Sequence, residues 1–200
     1  MRNISRVTIG GRALLSLLLA CAACNGSGAK GNKVAQQTTQ SANPSAELRY
    51  KAAEGWTTEN PSSSMRAAQY KLPRTEGDSE DASLVLYYFG PGQGGSVSAN
   101  IDRWIGQMAQ ADGSSSKDKA ATESLNVNGL QVSMVDVSGT YTAEMSPGSG
   151  THENKTNYRL RAAVVETPKG AYFVKLIGPA KTVGYWDQAF RDYVKSFEFK

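Results

Sequence analysis

The chain holds one histidine, His152, and two cysteines, Cys21 and Cys24, both close to its start. After Cys24 there is no thiol at all. That excludes an internal disulfide, a thiolate nucleophile and a cysteine-based metal site from everything that follows. A zinc centre with one histidine and no cysteine would lack the nitrogen and sulfur donors that zinc prefers. No apolar run reaches the roughly 20 residues needed to span a bilayer. Clusters of Lys or Arg are missing too, and the formal charge of +4 overstates how basic the chain is. Without Arg2, Arg6 and Arg12, the 22 basic residues become 19 against 18 acidic ones. Without Lys30, Lys33 and Glu47 as well, 17 of each sign remain. A neutral region lacks the basic footprint of a nucleic-acid binder and offers no polybasic patch to a membrane.

What is present begins with an export signal. Arg2, Arg6 and Arg12 form a positive segment with no acid before Cys21. Residues 13–20 are then apolar but too short to span a membrane. They end Leu18-Leu19-Ala20-Cys21, which has the form of a lipobox, with Leu three places before the cysteine and a small residue directly before it. Leu19 departs mildly from the usual small residue. The expected anchor is a diacylglycerol thioether on Cys21. Each buried methylene adds roughly 0.8 kcal/mol, so two or three acyl chains hold firmly. Cys24 would need Cys21 three places before it and makes a poor alternative. Ala22 follows the anchor where an inner-membrane retention signal would place Asp. The expected address is therefore the cell envelope, and the outer membrane where the host has two.

Residues 21–46 are rich in Gly, Ser, Lys, Gln, Thr and Asn, and Val34 is their only large apolar residue. Such a segment cannot bury enough surface to offset its ordering entropy and reads as a tether, spanning roughly 25–30 Å on average. The expected organisation is a signal peptide over 1–20, a lipidated tether over 21–46 and one globular domain over 47–200.

Within that domain, 48–52 and 65–72 read as strands, with Trp56 in a turn between them. Residues 83–89 are apolar throughout, as in a central strand covered on both faces. Ser96 can cap a helix running to about Gln110, whose stripe is Val97, Ile101, Trp104, Ile105 and Met108. Asn128-Gly129 joins strands over 121–127 and 130–141 in a hairpin, because both turn residues tolerate positive φ. A second hairpin joins 158–166 to 171–177. Val183, Trp186, Phe190, Tyr193, Val194 and Phe197 mark a final amphipathic helix. The expected fold is α+β: a largely antiparallel sheet of six to seven strands with two amphipathic helices packed on it.

Gly55-Trp56, Met65-Arg66, Tyr88-Phe89-Gly90, the run Asn100-Ile101-Asp102-Arg103-Trp104-Ile105-Gly106-Gln107 and the last helix resemble a group of uncharacterised bacterial lipoproteins. In layout the region from 48 to 200 more distantly resembles the PsbP-like fold of the extrinsic photosystem II subunit, an α/β/α sandwich. The lipoprotein group implies no known reaction. PsbP-like proteins imply protein partners and weak metal binding, but no metal motif carries over to this chain.

The candidate chemistry is thin. Gly90-Pro91-Gly92-Gln93-Gly94-Gly95 matches G-x-G-x-x-G between a strand and a helix. The apolar strand and acid that a dinucleotide site needs next are replaced by the polar stretch 112–119. The segment reads as a flexible turn, with anion contact at the helix start left open. No Lys follows Gly95, so it is not a P-loop. His152 falls in a Gly/Ser-rich loop without the rigid support a catalytic histidine requires. Glu76, Asp78, Glu80 and Asp81 lack the calcium-loop pattern and read as a solvated acidic loop. Asp102 and Arg103 are the candidate partner contacts, while Trp104 and Trp186 read as core.

These readings give no catalytic, metal or cofactor residue and no nucleotide. The expected role is a non-catalytic binding or assembly module, with an envelope protein as partner and the membrane held through Cys21. A carrier of small ligands or metals is the alternative, and a hydrolytic enzyme comes third.

Overall fold

The computed structural model describes residues 48–200 except Pro147. The signal, the lipobox with Cys21, Cys24 and the tether lie outside the described residues. Strands and helices follow in the order β1 (Leu48–Arg49), β2 (Thr57–Glu59), β3 (Arg66–Leu72), β4 (Ala82–Tyr88), α1 (Val97–Ile105), β5 (Met108–Ala109) and α2 (Ser116–Lys119). They continue as β6 (Ala121–Val127), β7 (Leu130–Tyr141), β8 (Lys155–Thr167), β9 (Gly170–Pro179), α3 (Ala180–Tyr185), α4 (Asp187–Lys195) and β10 (Glu198–Phe199). Eight strands form one sheet in the order β2-β3-β4-β9-β8-β7-β5, with β6 also paired to β7. Every pairing in it is antiparallel. β1 and β10 make a separate two-stranded sheet.

The α+β class and antiparallel sheet agree with the sequence. The strand count is higher because β2, β5 and β10, of two or three residues each, are too short to leave a period. Trp56 precedes β2 directly, where a turn alone was expected. β4 lies between β3 and β9, as a central strand should; Leu84, Val85 and Leu86 are buried, while Tyr87 is only half-buried. Asn128 and Gly129 turn with φ of 51° and 86°, the left-handed conformation that a two-residue hairpin of this kind requires.

Alternation along β7 divides the core in two. Leu130, Val132 and Met134 face one side with Phe190, Tyr193, Val194 and Phe197. Val135 and Val137 face the other with Trp104, Ile105 and Met108. The sheet is thus sandwiched, with α1 on one face and α3 and α4 on the opposite one.

Both helices are shorter than their apolar stripes. α1 ends at Ile105, and the chain turns through Gly106, whose N–H reaches Asp102 O at 2.9 Å. Met108 then enters β5 opposite Tyr141, buried as the stripe demanded but in a strand. The last helix is broken at Trp186, which sits at φ −89° and ψ 3° between α3 and α4. The break places the Trp186 indole Nε1 2.9 Å from Pro73 O, which accepts its hydrogen bond. Phe197 lies beyond α4 in the run into β10 and is fully buried.

Candidate functional site

Ser96 caps α1 as the sequence predicts, its Oγ accepting from Ala99 N at 3.2 Å. The glycine segment before it is held rather than free. The buried Asn100 side chain donates to Gly94 O at 2.7 Å and to Ser96 O at 2.9 Å. Gly94 has φ of 90°, and a Cβ there would meet the Phe173 ring at 2.5 Å. Packing, not phosphate recognition, accounts for that glycine. Arg103 donates to Asn100 Oδ1 at 2.6 Å, so it braces the same loop from the exposed side of α1. Asp102 pairs with Lys117 at 3.1 Å, with both side chains exposed. The two candidate partner contacts are therefore surface residues tied to local structure.

The loop carrying His152 is better supported than its composition suggests. Met145 N donates to Thr151 O, and Glu153 N to Ala143 O, both at 2.8 Å. Glu144 and His152 form a β-bridge, and Gly150 N donates to Glu144 Oε1 at 2.8 Å. His152 Nδ1 lies 2.9 Å from Thr142 O. The ring remains exposed on this small closed loop.

The acidic segment is not simply solvated either. Asp78 accepts from Thr182 N at 2.8 Å and from Thr182 Oγ1 at 2.5 Å, which pins the segment to the start of α3. Those Thr182 hydrogen bonds hold its carboxyl below the usual range. Glu80 accepts from the Tyr158 hydroxyl and from Lys155 Nζ, and Asp81 accepts from Arg74 N. Among the described residues no group of three or more His, Cys, Asp or Glu side chains converges on a metal position.

The arrangement with most chemical capacity was not singled out by the sequence. α1 packs chiefly over β7 and β8. The same face continues across β9 and β4 to β3, where Tyr87, Gln69 and Arg66 are only half-buried. Lys175 stands on this face between Phe173 and Ile177, opposite Val85 and Ala162 of the neighbouring strands. Its Nζ donates to Gln107 Oε1 at 2.6 Å and to the Tyr141 hydroxyl at 3.0 Å. It also lies 4.9 Å from the Tyr141 ring centroid, a cation–π contact. Both hydrogen-bond partners are neutral. Burial, and behind it the charge of Arg103, bring the ammonium down to about 8. Burial also pushes the Tyr141 phenol up to about 12. At the rim Arg66 lies 5.6 Å from the Tyr87 ring centroid and donates to Gln69, which in turn donates to Glu59.

The opposite face carries a charged network with a structural task. Asp136 accepts from Arg159 Nε at 2.8 Å, from Arg159 Nη2 at 2.6 Å and from Arg161 Nη1 at 2.7 Å. Asp187, at the start of α4, lies 3.1 Å from Arg161 Nε and 3.3 Å from Arg159 Nη2. The 3.1 Å approach is too poorly aligned for a hydrogen bond and leaves Arg161 Nε without a partner. These contacts fasten α4 to the sheet. Among the described residues Met65, Met145 and Tyr185 are the exposed large apolar side chains, from three separate segments of the chain.

No protein-family model matches the chain, and no curated protein matches it. Among solved structures it is similar to a protein of unknown function, PA94, a putative regulator from Pseudomonas aeruginosa. That match has 11% identity and a TM-score of 0.45 over 72% of this chain and 97% of that one. It is similar also to LpqN of Mycobacterium tuberculosis, described as involved in cell envelope biogenesis. There the identity is 10% and the TM-score 0.48, over 76% of this chain and 83% of that one. A third is the cyanobacterial PsbP of Synechocystis, at 9% identity and a TM-score of 0.46, over 77% of this chain and 87% of that one. Likeness at this level carries nothing about function.

Proposed function

We propose that this chain is a non-catalytic binding module of the bacterial cell envelope, anchored by lipid on Cys21. With Ala22 after the anchor, its place is the outer membrane where the host has two. The observation that carries the binding reading is the half-open sheet face around Lys175. It combines aromatic floor, free hydrogen-bonding capacity and cations, and α1 lies chiefly to one side of it. Contact surfaces that must remain available to a partner have this mixed character, with aromatic and Arg side chains enriched. A carrier of small ligands is the second reading, favoured by an ammonium whose hydrogen-bond partners are both neutral.

The test is photo-cross-linking in cells. A photoreactive phenylalanine analogue replaces Tyr87 on the open face, or Gln188 on α4 as a control. The proposal expects a discrete adduct in the membrane fraction from position 87 alone, lost when Cys21→Ser releases the chain. Identical adducts from both positions, or none from either, would refute it.

A further inference from the structure

Lys175 has more donors and more positive charge around it than the protein answers. The ammonium has three N–H groups and uses two, on Gln107 Oε1 and the Tyr141 hydroxyl. Among the described residues no carboxylate lies within ion-pair distance of Nζ. Tyr141 accepts from Lys175 and keeps its own proton to give. Gln107 turns Oε1 towards Lys175, so its two amide N–H groups are directed elsewhere. Arg103, at the end of α1, adds a second positive charge within electrostatic reach. The charge of Glu153 adds to burial in raising the Tyr141 phenol. Water can satisfy spare donors, but it cannot neutralise an enclosed charge; an anion does both, through charge-assisted hydrogen bonds.

We propose that Lys175, Tyr141 and Gln107 form a binding site for a small soluble oxyanion, a carboxylate or a phosphate. Lys175 supplies the charge and one hydrogen bond. Tyr141 and Gln107 fix the orientation, and the positive charge of Arg103 favours an anion there without contacting it. The proposal rests on the reading of this face as the binding surface, yet it can fail alone. A partner that docks without filling the site would give the cross-link and leave the lysine unaffected.

The experiment uses the full lipidated chain in detergent micelles, with lysine labelled at the ε-carbon for NMR. The Lys175 signal is assigned from its loss in Lys175→Met. Its pH titration is followed alone, with inorganic phosphate and with succinate. A bound anion favours the ammonium, so the midpoint should rise by about one pH unit or more, which is tenfold tighter binding to the charged form. The exposed Lys119 should not move, and Tyr141→Phe should reduce the shift. A rise with phosphate alone assigns a phosphate, with succinate alone a carboxylate, and with both an oxyanion of either kind. A midpoint unmoved by both, or moved no more than that of Lys119, overturns the proposal.

Discussion

Asp136 shows how one side chain can govern a helix it does not belong to. Burial alone would push its carboxyl up. The hydrogen bonds from Arg159 and Arg161 outweigh burial and hold it below the usual range. Arg161 is only 3% exposed, so losing its partner leaves a buried cation poorly compensated. Asp136→Ala should therefore cost about 3 kcal/mol at pH 7, with Asp187 limiting the damage. Because the folded carboxyl is the stronger acid, its contribution is full above the unfolded value near 4. It is lost as pH falls through the folded value. Urea denaturation of both chains should show a stability gap that narrows below about pH 4; a gap unchanged down to pH 3 would show that the charge network is not its source. Lys175 is the counterpart on the other face, an ion whose protein partners carry no charge. A lone lysine inside Phe173-Val174-Lys175-Leu176-Ile177 was visible in the sequence. Its partners were not, because Gln107 and Tyr141 lie 68 and 34 residues away along the chain.

At the scale of elements, the helical stripe of α1 reported burial correctly but not helix length. Met108 is apolar at helical spacing and is buried, yet a strand buries it equally well, so periodicity could not mark the end at Ile105. The same holds for Trp186 and Phe197 around α4. The hairpins were legible because Asn128-Gly129 and the segment before Gly170 carry specific turn chemistry. β2, β5 and β10 were not, since two or three residues leave no period and they exist only through pairing, β2 with the next strand and β5 and β10 with distant ones. The support under the His152 loop was hidden for a related reason: it comes mostly from backbone groups, which composition does not report. Trp104 is 3% exposed and packs with Val135, Val137 and Leu160. Trp104→Ala should cost about 3–5 kcal/mol by denaturant titration, the usual loss for a large buried aromatic. A cost under about 1 kcal/mol would mean that α1 is not docked through this ring.

Across the whole molecule the two sheet faces are treated differently. One is closed by α3, α4 and an aromatic cluster in which Tyr193 meets Tyr50, Trp56 and Phe197 at 4.9–5.4 Å between ring centroids. The other is closed mainly over β7 and β8 by α1 and keeps an ammonium in the middle of β9. A sequence shaped for stability alone would place an apolar residue there, because enclosing a charge costs free energy that neutral partners only partly return. Stability and function conflict at such positions. On the binding proposal, Lys175 is kept at the expense of the fold. Denaturation of the full chain and of Lys175→Met, at pH 7 and at pH 10, tests it most directly. The folded ammonium titrates near 8 and the unfolded one near 10.5. Between those values the unfolded chain binds more protons, so the parent gains stability as pH rises. Lys175→Met should be more stable than the parent by about 1–3 kcal/mol at pH 7, an advantage that shrinks towards pH 10. A variant less stable than the parent at pH 7, or an advantage unchanged at pH 10, would contradict the account.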